Sequence, residues 1–212
     1  MYDKIKILSQ EVTVREHDFS GLCEHYLREI EDCYRECYGS NDRATGDVLD
    51  ATEFIRARVK TGHESPLEHE KVTVRFVTNR AIANEMVRHR IGSYSQSSSR
   101  FINYKDNFTV IYPLGLDADS ELYWDWINAM AEARLSYLDM LEHGAKKDLA
   151  RGVLPLDFAT SIIVTYNLRA WRHFFKMRCS RAAHPQFRQI AIPTLLYFRR
   201  NLPGIFDDIE YD

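Results

Sequence analysis

The chain is poor in cysteine, lacks a long apolar run and carries no large excess of charge of either sign. Its longest uncharged apolar stretch, around Phe158 to Leu168, is well short of the ~20 residues that a transmembrane helix needs. The formal net charge of −3, with no acidic or basic block, argues against a general nucleic-acid coat protein. Apolar residues make up 45% of the 212 residues and charged residues 28%, as in ordinary globular proteins. We therefore expect one soluble domain over residues 1–212, without membrane or nucleic-acid partners.

Several familiar catalytic motifs are also missing. The sequence contains no G-x-G-x-x-G, no P-loop, no G-x-S-x-G and no H-E-x-x-H. No side chain stands out as an activated nucleophile, so any chemistry would have to be done by a cofactor.

The cysteines allow a metal hypothesis, which the pattern disfavours. His25 lies near Cys23, and Cys33 and Cys37 are one helical turn apart. Residues 19–38 nevertheless have the pattern of one helix, whereas structural zinc sites use paired ligands on loops. Buried thiols in a reducing compartment, the fourth being Cys179, are the favoured interpretation.

A second metal hypothesis concerns the segment HESPLEH at residues 63–69. Its two histidines and two carboxylates resemble a ligand set, but His63 and His69 are not one helical turn apart. Ser65, Pro66 and Glu68 match a helix start, with an N-cap serine, a proline at the first position and a glutamate three residues on. We expect no metal here.

Hydrophobic periodicity predicts an α+β fold, with long helices around a small mixed or antiparallel sheet. Strand patterns occur within 4–18, where Val12 and Val14 alternate, and at 71–78, 102–112 and 160–166. Helical patterns cover 18–39, 47–62, 81–89, 120–143, 167–179 and a segment from Pro185 that should kink at Pro193; Asp148 could cap a single turn that holds Arg151.

The first candidate site follows the predicted helix 81–89, whose apolar side comprises Ile82, Ala83, Met86 and Val87. Arg88-His89-Arg90 is followed, after seven residues, by Ser98 and then Arg100, within a serine-rich loop. Guanidinium groups, hydroxyls and a small-residue backbone suit a phosphate or nucleotide. A solvated loop after a charged helix end explains the same residues.

The second candidate site is the predicted helix 167–179. Arg169, His173 and Met177 repeat at four-residue steps on one face, while Trp171 and Phe174 share another with Arg178. Such faces could bind a ligand through hydrogen bonds and cation–π contact. An amphipathic helix with a basic exterior is the alternative.

Together, HESPLEH, RHR-x7-S-x-R and ARGVLP…TYNLRAWRHFFKMR resemble the flavin-dependent thymidylate synthase family, in the same order from His63 to Arg178. The resemblance implies the thymidylate synthase-complementing protein fold and a cytoplasmic (or, for a virus, host-cytoplasmic) homotetramer with active sites shared between subunits. It also implies a methyltransferase that converts dUMP to dTMP for nucleotide biosynthesis. In that reaction NADPH reduces FAD, and 5,10-methylenetetrahydrofolate donates the carbon.

The resemblance also implies roles for individual residues. Arg178 would be catalytic, because its position favours ionisation at the pyrimidine N3. The residues expected to contact FAD are Ser65, Arg88, His89, Arg90, Gln96, Asn167, Leu168, Arg169 and His173. His63 and Glu68 are also expected at the cofactor site, close to these residues. The residues expected to contact dUMP are Glu85, Met86, Val87, Arg88, Gln96, Ser97, Ser98, Ser99, Arg100, Arg151 and Arg178.

Three positions depart from the family pattern. Gln96 stands where some members have an acidic residue, Phe101 where tyrosine is frequent, and His173 where others have asparagine. Two other functions stay open: a flavoenzyme that modifies another pyrimidine nucleotide, and a non-catalytic module that binds RNA or DNA. The acidic net charge argues against the second.

Overall fold

The computed structural model describes residues 2–15 and 19–211, and within these residues the chain is a mixture of helices and short strands. The strands are β1 (Ile5–Leu8), β2 (Glu11–Val14), β3 (Lys71–Asn79), β4 (Ser93–Gln96), β5 (Phe108–Ile111) and β6 (Ala159–Asn167). The helices are α1 (Phe19–Tyr38), α2 (Val48–Lys60), α3 (Arg80–Met86), α4 (Glu121–Glu142), α5 (Lys147–Ala150), α6 (Leu168–Arg178) and α7 (Pro185–Asn201). One-turn 3₁₀ helices include Ser65–Glu68 and Arg151–Val153. The α+β class is confirmed.

Polar side chains at the helix starts explain why most predicted helices begin where they do. The Asp47 carboxylate accepts hydrogen bonds from the backbone N–H groups of Leu49 and Asp50, and the Ser120 hydroxyl accepts one from Tyr123. These caps satisfy N–H groups that have no partner inside the helix. At the other end of α4, Gly144 adopts a φ of +87°, which ends the helix at low steric cost.

The strands form two sheets rather than the single small sheet that the sequence predicts. β1 pairs with β5 in parallel, with Ile5 opposite Phe108 and Leu8 opposite Ile111. The other four strands have the order β2-β3-β6-β4. β3 and β6 alternate buried and less buried residues, so Val72, Val74 and Phe76 share a face as predicted.

Other boundaries differ from the sequence predictions. The serine-rich segment contains strand β4, because an edge strand of small polar residues has no strong apolar alternation to reveal it. Of the predicted strand 102–112, only β5 forms. The predicted helix 81–89 ends at Met86, and Val87, expected on the apolar side, is 37% exposed. Asp18, expected as the start of α1, lies outside the described residues.

One further local prediction is wrong. The turn after α4 begins at Lys146 without a side-chain cap, so Asp148 is not its cap. Helix α7 contains Pro193 as expected, and the kink there stays a prediction. The cysteines are all free, but only Cys179 is buried, and Cys37 is exposed at the end of α1.

The described residues fall into two compact units. The first lies within 1–11, 76–88 and 94–163, and the second within 12–75, 89–93 and 164–212. The prediction of one domain over 1–212 stays a prediction. No helix in the described part of the chain is long and apolar enough to cross a membrane.

The first unit packs α4 and α5 around the β1–β5 pair. Phe158 is the centre of an aromatic group, with ring centroids 4.6 Å from Tyr104 and 4.9 Å from Phe108 in edge-on geometry. Tyr137 is fully buried and its hydroxyl accepts a hydrogen bond from the Tyr104 backbone N–H. Edge-on aromatic pairs add to the stability gained from burial.

The second unit has an aromatic core between α6 and α7. Trp171 lies 5.2 Å from both Phe174 and Phe198, measured between ring centroids. Its indole N–H donates to the carbonyl of Val72 on β3, which satisfies the one polar atom of a fully buried side chain. The apolar face of α6 therefore packs against β3, the neighbour in the sheet of the strand β6 that leads into α6.

Arg172 on α6 is completely buried, so the predicted basic exterior of this helix does not include it. Its guanidinium donates two hydrogen bonds to Asp208, at 2.7 and 2.8 Å, and one to Glu64 at 3.0 Å. Burial raises the pKa of the Glu64 carboxyl, but Arg172 and Lys176 outweigh that effect and hold this pKa below its usual range. The buried cation thereby links α6 to the segment before Ser65 and to the C-terminal segment.

Replacing Arg172 by alanine is expected to destabilise the fold by about 3–5 kcal/mol, because Glu64 and Asp208 lose the cation that compensates their partial burial. Urea-induced unfolding measures this change. The matched control is Lys176→Ala, which removes a half-exposed cation from the same Glu64 and should cost less than about 1 kcal/mol. Similar losses in the two variants would contradict the role given to Arg172.

Candidate active site

A cleft of about 350 Å³ opens in the second unit where three segments meet. The segments are the first turns of α6 with the end of β6, the 3₁₀ turn Ser65–Glu68, and residues 89–91. The lining residues are Glu68, His89, Arg90, Ile91, Tyr166, Asn167, Arg169, Ala170 and His173. Six of these are among the residues expected to contact a cofactor, so the fold brings together parts of all three sequence motifs.

The start of α6 shapes one wall of the cleft. The Asn167 side-chain oxygen accepts a hydrogen bond from the backbone N–H of Ala170 at 2.8 Å, which caps the helix and fixes the amide. Arg169 and His173 follow four residues apart and are both exposed, as predicted. Leu168, also expected at the cofactor, instead has its side chain fully buried.

The turn Ser65–Glu68 forms the opposite wall. Its N-cap is Glu64, which makes no side-chain capping hydrogen bond, so the capping box predicted for Ser65 and Glu68 is wrong. The Glu68 carboxylate pairs instead with the guanidinium of Arg169. Both side chains are about half exposed, so this ion pair is weak and Arg169 can exchange it for an anionic ligand.

His63 and Ser65 line an adjoining cleft of about 310 Å³, which Arg169 also lines. Two tyrosines one turn apart on α1 hold His63 in place. The Tyr34 hydroxyl donates to the His63 carbonyl, and the Tyr38 hydroxyl is hydrogen-bonded to Nδ1 of the imidazole. The Tyr38 and His63 rings also stack, with centroids 6.2 Å apart. Sequence reasoning missed both tyrosines, although their four-residue spacing places them on one face of α1.

His89 makes a direct contact with Arg178, the residue expected to be catalytic. Nε of Arg178 donates to Nε2 of His89 at 2.9 Å, so the ring proton of a neutral His89 lies on Nδ1. The Arg178 guanidinium also lies over the Phe187 ring, 4.5 Å from its centroid. Burial, followed by Arg178 and His173, lowers the pKa of His89 to about 4. His89 is therefore an uncharged acceptor that orients a permanent cation.

The backbone between Arg90 and Gly92 is tightly constrained. Ile91 has a φ of +65°, an unfavourable conformation for a β-branched residue, and its side chain is 82% exposed. A Cβ atom on Gly92 would lie 2.2 Å from Cε1 of Tyr166, whose ring is buried against Trp171. Only glycine lets the chain cross this ring.

Most residues expected to bind the substrate belong to the first unit. Within it, Gln96 donates from Nε2 to the Thr160 hydroxyl at 3.2 Å, and the Ser97 backbone N–H donates to the Ser161 carbonyl. The Ser98 hydroxyl accepts from the Arg100 backbone N–H at 3.3 Å. These bonds fix the chain from 96 to 100 as a defined turn after β4.

The other expected substrate residues differ in exposure. Arg88, Arg100 and Arg151 are exposed, and Nε of Arg151 donates to the Asp148 carbonyl. Met86 is fully buried and Ser99 is 8% exposed. Glu85 is partly buried, whereas Val87 is exposed. Arg178 alone of this set belongs to the second unit, with His89.

The cysteines and histidines take no part in a metal cluster among residues 2–15 and 19–211, where no three His, Cys, Asp or Glu side chains are grouped suitably. Glu64 and Glu68 of the segment HESPLEH are instead paired with arginines. Burial raises the pKa of the Cys179 thiol to about 12, so it is a poor nucleophile at neutral pH.

The depressed pKa of His89 predicts a pH effect on stability. The unfolded chain binds this proton near pH 6.5 and the folded chain only near pH 4. The stability that comes from a neutral His89 is therefore fully present above about pH 6.5 and is lost as the pH falls towards about 4. Urea midpoints at about pH 7 and about pH 4.5 should differ less in His89→Gln than in the unaltered protein. His143→Gln, at an exposed helix end, should keep the full difference.

Substituting Gly92 by alanine should destabilise the second unit by about 1–3 kcal/mol, because the new methyl group overlaps the Tyr166 ring. Thermal unfolding measures the effect. Gly152→Ala is the matched control, since its Cβ would meet nothing within 4 Å and its φ is unremarkable. That variant should stay within about 1 kcal/mol of the unaltered protein. An unchanged melting temperature in Gly92→Ala would contradict the close approach.

Comparisons with known proteins place this geometry in a family. The sequence profile of the thymidylate synthase complementing protein family matches residues 22–204. A flavin-dependent thymidylate synthase of Mycobacterium bovis (strain BCG / Pasteur 1173P2) is 33% identical over 198 residues, covering 85% of this chain and 78% of the relative. The enzyme of the same name from Mycobacterium avium (strain 104) is 34% identical with the same coverage.

The fold also matches a solved structure. The crystal structure of a UMP/dUMP methylase from Streptomyces cacaoi, bound with 5-Br dUMP, superposes with a TM-score of 0.78 over 95% of both chains, at 20% sequence identity. With the profile covering most of the chain and curated relatives above 30% identity, the chain belongs to the thymidylate synthase complementing protein family, that of the flavin-dependent thymidylate synthases.

Proposed function

We propose that the protein is an FAD-dependent thymidylate synthase that converts dUMP to dTMP, with 5,10-methylenetetrahydrofolate as carbon donor and NADPH as reductant. The observation that carries this proposal is the convergence of His89, Arg90, Asn167, Arg169 and His173 on one cleft, with His89 directly orienting Arg178. Cationic and amide groups on a cleft, beside an arginine held by a neutral base, suit a dinucleotide cofactor and an anionic substrate.

The chemistry of the cleft fits a flavin dinucleotide. Arg90 and Arg169 are exposed guanidinium groups suited to a diphosphate, and Asn167 and His173 add hydrogen-bonding groups. The adjoining cleft, with His63 and Ser65, shares Arg169 and so extends the same wall for an elongated ligand. When bound, the reduced flavin supplies the hydride that completes the methyl group.

Arg178 is proposed to act on the pyrimidine ring. Attack by C5 of uracil needs electron density in the ring, and a guanidinium beside a carbonyl or N3 stabilises the negative charge that develops. Because His89 accepts from Nε, the remaining N–H groups of Arg178 point along directions fixed by the His89 and Phe187 rings. Because His89 is uncharged, it adds no positive charge beside the Arg178 guanidinium.

The proposed substrate site takes its phosphate-binding groups from the turn after β4 and from the 3₁₀ turn that begins at Arg151. Ser98, Arg100 and Arg151 supply a hydroxyl and two exposed guanidinium groups, which suit a phosphate monoester. The fold neighbour from Streptomyces cacaoi, bound with 5-Br dUMP, supports a substrate of this class.

A cytoplasmic homotetramer with shared active sites is part of the proposal. Two apolar side chains of the second unit, Ile91 and Met177, are 82% and 54% exposed. Apolar groups exposed at and near a cleft favour burial against another subunit.

A second candidate activity is the modification of another pyrimidine nucleotide. It is favoured by the name of the fold neighbour, a methylase of both UMP and dUMP. Side-by-side turnover of dUMP, dCMP and UMP under the same conditions distinguishes the two candidates.

The test is whether the purified protein binds FAD and releases tritium from 5-tritiated dUMP when given NADPH and the folate. Arg178→Ala should keep its flavin absorbance after dialysis and lose turnover by at least about a hundredfold, the usual effect of removing a donor to a developing anion. Arg169→Gln should show the opposite pattern, with flavin lost on dialysis and turnover restored by added FAD.

Arg200→Ala is the matched control, because it removes an exposed cation from α7 outside both clefts. It should retain flavin and turnover. Near-normal turnover in Arg178→Ala would contradict the pyrimidine role, and a protein that cannot be loaded with flavin would contradict the proposed function.

A further inference from the structure

The first unit contains a cleft that none of the predicted cofactor or substrate residues line. It has a volume of about 520 Å³ and lies where the N-terminal ends of β1 and β5 meet helix α4. The residues that line it are Lys4, Ile5, Lys6, Lys105, Asp106, Asn107, Phe108 and Arg134. Its volume is within the range of small-molecule sites.

The cleft is strongly cationic in a chain that is acidic overall. Among the described side chains that line the cleft, Lys4, Lys6, Lys105 and Arg134 face a single carboxylate, Asp106, which is a formal excess of three positive charges. The whole chain has a net charge of −3, so composition alone does not produce this concentration. Like charges gathered in one concave surface raise the local concentration of anions.

Arg134 is a partly buried cation of the cleft, whereas Lys4, Lys6 and Lys105 are exposed. The side chain is partly buried on α4, among the turns that carry the buried Met130 and Tyr137. Its Nε is buried and has no hydrogen-bond partner among the described residues. Among the residues whose side chains the structure describes, no carboxylate lies within ion-pair distance of its guanidinium group.

Strands β1 and β5 form the floor of the cleft, and Lys105, Asp106 and Asn107 lie in the loop before β5. Ile5 and Phe108 are opposite each other in the parallel β1–β5 pair and are both buried, so they provide a rigid floor. Lys6 follows Ile5 on β1, and Lys105 precedes β5 by three residues, with its backbone N–H bonded to the Asn103 side chain. Lys6 is held by a strand and Arg134 by a helix, and a side chain on an ordered element needs less further ordering when a ligand binds.

We propose that this cleft binds a short chain of anionic groups, such as linked phosphates or linked carboxylates. Among the described residues that line it, the one aromatic residue, Phe108, is fully buried and offers no exposed ring on which a planar ligand could stack. Recognition therefore depends on charge and on the bidentate geometry of Arg134. The proposal does not depend on the chemistry at His89 and Arg178, because the cleft uses other residues.

The test is calorimetric titration of the full-length protein at low ionic strength with two probes, inorganic triphosphate and tri-γ-glutamate. Binding should weaken as salt is added, since exposed charges are screened. The double variant Lys6→Gln/Lys105→Gln should bind at least about tenfold more weakly, and Arg134→Lys should weaken binding less than Arg134→Gln because charge is kept. The probe that binds more tightly identifies a phosphate or a carboxylate ligand.

Lys60→Gln is the matched control, because it removes one exposed lysine at the end of α2, outside the cleft. It should bind both probes as the unaltered protein does. Thermal unfolding of each variant checks that it is folded. Absence of binding at low salt, equal weakening in Lys60→Gln, or unchanged affinity in the double lysine variant would overturn the proposal.

Discussion

The guanidinium group of Arg172, buried without any exposure, is the constraint on which the second unit depends. A charge in that position is tolerated only because Glu64 and Asp208 neutralise it with well-formed hydrogen bonds. Glu64 directly precedes the turn that carries Ser65 and Glu68, and Arg172 lies between Arg169 and His173 on α6. The two walls of the cleft are therefore held together by an ion pair that lies outside the cleft itself.

The side chains of helix α6 belong to two sets, one buried in the core and one exposed on the cleft. Trp171, Phe174 and Phe175 are buried and fix the helix in the core, while Arg169 and His173 remain exposed on the cleft. Arg178, at the last residue of the helix, is oriented by His89 and by the Phe187 ring. A single helix thus sets the positions of groups proposed for the cofactor and of the group proposed for the pyrimidine.

The environment of His89 decides what it can do there. Burial keeps the imidazole neutral, and a neutral imidazole can accept the N–H of a guanidinium, whereas a protonated one would repel it. The same burial principle makes Cys179 inert, since its thiol pKa is raised to about 12.

The sequence by itself determined the α+β class, the helices that begin near Asp47, Ser120 and Asn167, and the family, because these depend on local periodicity and short motifs. It also predicted that residues around 63–68, 89–90 and 167–173 act together, which the cleft in the second unit supports.

Only the tertiary structure decided that Arg172 is buried, that Glu68 pairs with Arg169 instead of capping a turn, and that His89 accepts from Arg178. Each of these depends on residues 89 to 108 positions apart in the chain meeting in space, and helical periodicity cannot tell a solvated arginine from one that distant carboxylates compensate. Strand β4 escaped prediction for a related reason, because an edge strand of small polar residues is defined by its pairing partner and not by its own pattern.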